Sequence, residues 1–283
     1  MKKLFSIILF LLFSAILFAQ NSDEIYLIVR GDDIGSSHAA NVGCIESYRD
    51  GIMQTVELMP PCPWFFEAEE MLNDNPGLDV GIHLTLTSEW DYIKWRPITN
   101  CPGLTDEAGN FFPMVWKNEN YPPNNSIAES DYTIEEVEKE LRSQIELSLK
   151  YVPQCSHISA HMGFTSFDKS IDEVVTKLAK EYNLFIDMSE VKRFPGWDRN
   201  STLETRINQF CENIEKLTAG TYLFVDHPAK NFEEMKPVGH INNRDVAIQR
   251  EWVTRIFTSE KVKTSIKKKG VKLISYGDYK AMQ

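Results

Sequence analysis

Ile25-Tyr26-Leu27-Ile28-Val29 runs without interruption into Arg30-Gly31-Asp32-Asp33-Ile34-Gly35, and a helix-like pattern follows from Ala39 to Arg49. An aliphatic run of strand length that ends in charges and hands over to a helix is the opening of a βα unit. Working outward, similar runs recur at Thr55-Val56-Glu57-Leu58-Met59, Leu78 to Leu86, around His157-Ile158, at Leu184-Phe185-Ile186, Tyr222-Leu223-Phe224-Val225 and Val271-Lys272-Leu273-Ile274. Helical patterns lie between them at Trp64 to Leu72, Thr133 to Tyr151, Lys169 to Tyr182, Leu203 to Leu217 and Asp245 to Phe257. The clearest is Thr133 to Tyr151, where Thr133-x-x-Glu136 reads as a capping box and Val137, Leu141, Ile145 and Leu149 recur every fourth residue. Strands alternating with helices predict right-handed crossovers and a parallel α/β sheet of about seven strands, open or closed into a barrel, with the strand count favouring the barrel.

Composition agrees with one globular domain. The chain has 283 residues, 42% hydrophobic and 25% charged, with only 14 Gly and 13 Pro, which excludes disordered, collagenous and low-complexity classes. Its formal charge of −11 argues against a nucleic-acid binder, since phosphate contacts need concentrated positive charge. Met1-Lys2-Lys3 followed by the apolar stretch Leu4 to Ala19 reads as a secretory signal, short for a spanning helix, with cleavage expected before Gln20; an uncleaved membrane anchor is the other reading. Residues 1–19 are thus expected to be a signal peptide and 20–283 the folded domain of an exported periplasmic or secreted protein, with no membrane attachment after cleavage. Cys44, Cys62, Cys101, Cys155 and Cys211 form neither Cys-x-x-Cys pairs nor a dense disulfide framework, and Cys44 and Cys211 read as buried small residues in helices.

The chemistry collects where parallel α/β folds place it, at the C-terminal ends of strands. Four such ends carry Asp32-Asp33, Gly81-Ile82-His83-Leu84, His157-Ile158-Ser159-Ala160-His161 and Asp226-His227-Pro228, and they hold four of the six His in the chain. Adjacent carboxylates repel unless a cation or shared proton offsets the cost. A metal would do so, two His and one Asp being a suitable set that leaves positions open for water and substrate. Turn or helix-cap chemistry is the other reading of Asp32-Asp33. His83 in its apolar strand reads either as a hydrogen-bonded core residue or as a ligand. His161 lies further out than His157 and is the better ligand candidate, leaving His157 to stand behind it.

In this order, Asp32-Asp33-Ile34-Gly35, Gly81 to Leu86, His157-x-x-x-His161, His227-Pro228 and Arg250-Glu251-Trp252 resemble the YdjC-like family, which includes chitooligosaccharide deacetylases. The resemblance covers most of the mature chain. It implies a distorted (β/α) barrel related to NodB-type polysaccharide deacetylases, one divalent metal ion, Mg²⁺ or Zn²⁺, and removal of acetyl groups from an N-acetylated sugar or oligosaccharide. Carried over residue by residue, it makes Asp33, His83 and His161 the metal ligands, Asp32 the general base and His227 the general acid. The sequence departs from the family pattern at Ser159, where Asp is usual, and at Met162-Gly163, where further His residues are usual.

Such a site would polarise an acetamide carbonyl, activate water and protonate the departing amine. Arg193 is a candidate for holding Asp32 ionised, or an ordinary solvated arginine. A long irregular insertion, about Ser88 to Asp131, carries Trp90, Tyr92, Trp95 and Trp116, which either stack on sugar rings or pin the loop to the barrel. Trp64, Phe65 and Phe66 are expected to fill core space. Two further readings stay open: a metal-dependent amidase or esterase with a non-sugar substrate, and a carbohydrate-binding barrel without turnover.

Overall fold

A computed structural model describes residues 23–283, so the expected signal segment lies outside the described residues. Seven strands, β1 (Ile25–Ile34), β2 (Thr55–Leu58), β3 (Asp79–Leu84), β4 (Cys155–Ala160), β5 (Lys192–Arg193), β6 (Gly220–Asp226) and β7 (Lys272–Leu273), pair in parallel in the order β4-β3-β2-β1-β6-β5. β1 is the axis of the sheet. β6 pairs with one edge along Ile25 to Gly31, while on the other edge β7 pairs with Tyr26 and Leu27 and β2 takes over from Arg30. The result is a curled half-barrel, the distorted (β/α) barrel that the sequence predicts.

Helices α1 (His38–Arg49), α2 (Phe65–Asn73), α3 (Ile134–Tyr151), α4 (Lys169–Glu181), α5 (Leu203–Glu215), α6 (Val246–Phe257), α7 (Glu260–Lys269) and α8 (Tyr276–Ala281) complete the chain. Alternation along β1 sorts its side chains between two layers. Leu27 and Val29 join the large core beneath the helices, while Ile28 joins a smaller cluster with Ile274, Tyr276 and Tyr279. Thr133 and Glu136 form the expected capping box on α3. None of the helices among the described residues is long and apolar enough to cross a membrane.

Three expectations need correction. Leu184-Phe185-Ile186 is no strand, and the fifth strand is Lys192–Arg193. Leu184 instead closes α4: Asn183 adopts φ 59°, its amide donates to Lys180 O, and the Leu184 amide donates to Ala179 O at 2.7 Å. This is a Schellman ending, in which the apolar residue after the left-handed one packs back on the helix. Trp64 and Phe66 are not core residues, being 38% and 59% exposed, because α2 buries Phe65, Ala68 and Leu72 on its inner face. Helices α7 and α8 had no counterpart in the sequence reading.

The long insertion is built of short 3₁₀ turns and isolated bridges. It is nevertheless fixed: Trp95, Leu104, Phe111, Val115 and Ile127 are buried in the main core. The buried Glu140 carboxylate of α3 accepts from the Ile98 and Thr99 amides and the Thr99 hydroxyl, satisfying backbone donors that would otherwise be stranded.

Candidate metal centre

Asp33, His83 and His161 converge in the concave mouth of the sheet, each offering one ligand atom within 4.8 Å of the others, and all three are buried. They come from the end of β1, the end of β3 and the first residue after β4. Asp33 has φ 75°, a left-handed backbone that costs most L-residues but that Asp tolerates. Such strain is held by the surroundings and clusters at functional sites.

Arg250 Nη2 donates to Asp33 Oδ2 at 2.6 Å. Asp33 Oδ1 is buried with no hydrogen-bond partner and lies 3.5 Å from both His83 Nε2 and His161 Nδ1. Burial alone would raise the Asp33 carboxyl, but Arg250, His227 and His161 hold it well below the ordinary carboxylate range. An ionised oxygen with no hydrogen-bond donor, facing two imidazoles, is an arrangement that could hold a cation.

The proton on His83 can be located. Ser159 donates its single hydroxyl hydrogen to the acceptor-only carboxylate of Glu57, so the 2.7 Å contact between Ser159 Oγ and His83 Nδ1 requires Nδ1–H as donor. Burial pushes the His83 ring down to about 4 against the pull of Asp32. The ring is therefore neutral at pH 7, with the lone pair of Nε2 aimed at Asp33 Oδ1 and His161. His161 Nε2 lies 2.9 Å from Glu89 Oε2. Its burial opposes charge, but Glu89 and Asp33 outweigh it and bring the ring up to about 10.

His157 stands behind this cluster. Its Nε2 meets Glu57 Oε1 at 2.7 Å, and its ring stacks on Tyr276 with centroids 4.0 Å apart. Sheet register explains the pairing, since Glu57, Gly81 and His157 are side by side on β2, β3 and β4. The two side chains meet across the intervening strand only because Gly81 has none. A Cβ there would come within 2.3 Å of Glu57 Oε2 and 2.5 Å of His157 Nε2. Burial would raise the Glu57 carboxyl, but His157 and Arg30 hold it down to about 2.

Asp32 sits beside the cluster and is gripped by Arg30, whose Nε and Nη2 reach Oδ1 and Oδ2 at 2.7 and 2.8 Å. Arg193, the residue expected to do this, is exposed on β5 and lines a neighbouring cavity instead. His227 faces the cleft, its Nδ1 3.4 Å from Asp226 Oδ1 and its Nε2 4.0 Å from Asp33 Oδ2. Its enclosed position opposes charge, yet Asp33 and Asp226 raise its pKa above the ordinary value. Asp32, Asp33, His83, His161 and His227 all line one cleft of about 530 Å³, whose wall includes Trp90 and Arg250.

Trp90 and Trp95 are 7% and 2% exposed, so both pin the insertion, and Trp90 also presents its ring to Arg250 at 5.3 Å. Tyr92 and Trp116 are exposed and do not line this cleft. Sequence reasoning missed Arg30, Glu57 and Glu89 as parts of the site, and it named Arg250 only within the motif Arg250-Glu251-Trp252, with no role. Glu57 carried a signal, an acidic residue amid the apolar strand β2. Glu89 carried none, because its partner lies 72 residues away across an irregular loop.

The family model described as YdjC-like protein matches residues 26–268. Carbohydrate deacetylase 1 of Listeria innocua is 31% identical over 264 residues, covering 89% of this chain and 99% of that protein. A carbohydrate deacetylase of Enterococcus faecalis is 27% identical over 273 residues, covering 88% and 96%. A crystal structure of an Enterococcus faecalis protein superposes with a TM-score of 0.70 at 25% identity, covering 91% of this chain and 99% of that one.

Proposed function

This chain belongs to the YdjC-like family, and from that premise we propose that it is a divalent-metal-dependent hydrolase that removes acetyl groups from N-acetylated sugars or oligosaccharides. The family relatives described as carbohydrate deacetylases support the reaction class. The observation that carries the metal dependence is Asp33 Oδ1, buried without a donor and flanked by His83 Nε2 and His161 Nδ1.

Asp33, His83 and His161 would hold the ion, Mg²⁺ or Zn²⁺, both accepted by a carboxylate and two imidazoles. When bound, such an ion supplies Lewis acidity to an amide carbonyl and lowers the pKa of water. The remaining work falls to the chain. Asp32, oriented by the Arg30 fork, accepts a proton from water at its carboxylate. His227, favoured in its charged form by Asp33 and Asp226, carries Nε2–H toward the cleft and gives that proton to the leaving nitrogen. Its Nδ1, facing Asp226, fixes the ring plane during the transfer.

Release of acetate from N-acetylglucosamine oligomers, assayed with and without a chelator, tests this reading. Chelator-sensitive release is expected. Chelator-insensitive release would refute the metal dependence, and failure on every N-acetylated sugar would refute the reaction. The export of a mature domain beginning near Gln20 is part of the same proposal, and mass spectrometry of the native protein checks it.

A further inference from the structure

A cavity of about 830 Å³ adjoins the cleft of about 530 Å³, and the two share Arg30, Gly163, Arg199 and Asp226 in their walls. A substrate longer than one sugar unit that places its acetamide in the cleft would have its neighbouring unit on the side of this second cavity.

The chemistry of that cavity differs from the rest of the protein. Trp197 gives it an aromatic wall, backed by the buried Phe194 and Phe224, with Trp197 and Phe224 packed at 4.9 Å between centroids. Lys192, Arg193 and Arg199 stand along its wall. Asp226 is the one acid among its described lining residues, and it is engaged already, accepting from Arg199 Nη2 at 3.1 Å and facing His227. Arg30 is likewise committed to Asp32. The Arg193 side chain has no hydrogen bond or ion pair among the described residues, whereas the Lys192 ammonium is turned to the Ala219 carbonyl at 3.2 Å and to the Tyr222 ring at 5.5 Å, neither of which lines the cavity. In a chain of net charge −11, an unpaired guanidinium beside Trp197, next to the cleft, is a local reversal of sign. Local fields of this kind select ligands of opposite charge.

We propose that this cavity is a subsite for an acidic sugar unit, whose ring lies against Trp197 and whose carboxylate or sulfate ester is held by Arg193. Guanidinium groups bind both anions through charge-assisted hydrogen bonds. The inference rests on the deacetylase reading, and it narrows the substrate to N-acetylated oligosaccharides that carry an anionic neighbour.

Three disaccharides test it: neutral N,N′-diacetylchitobiose, an N-acetylglucosamine–glucuronic acid disaccharide, and an O-sulfated N-acetylglucosamine disaccharide. Either acidic substrate should exceed the neutral one in kcat/KM by about tenfold, the worth of one charge-assisted contact. The difference should lie in KM, shrink as salt is raised, and vanish in R193E. Equal kcat/KM for all three would overturn the subsite while leaving the deacetylase reading intact. If no sugar releases acetate, the deacetylase reading fails, and calorimetric titration of the acidic disaccharides still decides the subsite. Binding that is lost in R193E supports it, and absence of binding overturns it.

Discussion

Arg250 Nη2 donates to Asp33 Oδ2 at 2.6 Å, and this single contact divides the Asp33 carboxylate into a paired oxygen and a bare one. The guanidinium keeps the group ionised, while the bare Oδ1 is left to face His83 and His161. One residue thus carries both the charge of the site and its open valence.

Replacing Asp33 by Asn tests that division with little backbone penalty, since Asn also tolerates the φ of 75° found there. D33N should bind divalent metal at least about 100-fold more weakly, the upper range seen even for supporting residues, in equilibrium dialysis. Its far-ultraviolet circular dichroism should match the parent. Metal affinity within a few-fold of the parent would remove Asp33 from the ligand set.

Asp32 should behave oppositely. D32N keeps the side-chain shape beside Arg30 but removes the proton acceptor, so metal occupancy should persist while kcat falls by roughly 10²–10⁴-fold, the usual contribution of a general base. Near-parental turnover with metal bound would disqualify Asp32 as the base.

Ser159 governs the tautomer of His83 without touching the open side of the cluster. In S159A the Nδ1–H loses its acceptor and the Glu57 carboxylate loses its path to the ring, so metal affinity should drop about 10–100-fold. Nitrogen-15 chemical shifts of His83 should show Nδ1–H in the parent and a mixture of tautomers in the variant. A pure Nδ1–H signal in both would show that something else sets the ring.

Acid stability should register Glu57. Its folded pKa, about 2, lies below the ordinary glutamate value of about 4.3, so its stabilisation is fully present above about pH 4.3 and is lost as pH falls toward 2. Urea unfolding of the parent and of E57Q across that window should differ in slope by up to about 1.4 kcal/mol per pH unit. Parallel slopes would mean that the buried carboxylate is not held ionised.

Much of this was legible in the residues themselves. Asp32-Asp33, His83, His161 and His227 stood out because titratable groups at the ends of apolar strands have few structural reasons to be there, and the order of the βα units placed them together. Ser159 stands where the family resemblance makes Asp the usual residue. The structure shows Ser159 donating to Glu57 on a different strand, so a carboxylate still stands behind His83, one hydroxyl removed. Sequence spacing has no access to such a substitution, because it depends on register across β2, β3 and β4 and on the missing side chain of Gly81. The same limit hid the pairing of Arg250, a residue of the quoted motif, with Asp33 217 residues away, and turned Leu184 into a strand when its apolar character served a helix ending.

β1 pairs along its length with β6, Ile25 facing Gly220 and Gly31 facing Asp226. On the ribosome, the first strand to emerge thus waits for one of the last before that edge is covered. Contacts of such long sequence separation are slow to form, and unpaired edges invite association in the meantime. Nascent chains that stop short of Arg250 already hold Asp33, His83 and His161, but they lack the guanidinium that tolerates a buried Asp33. The Asp33–His83–His161 cluster is therefore completed only once α6 has been made, and chains truncated ahead of α6 are expected to lack it.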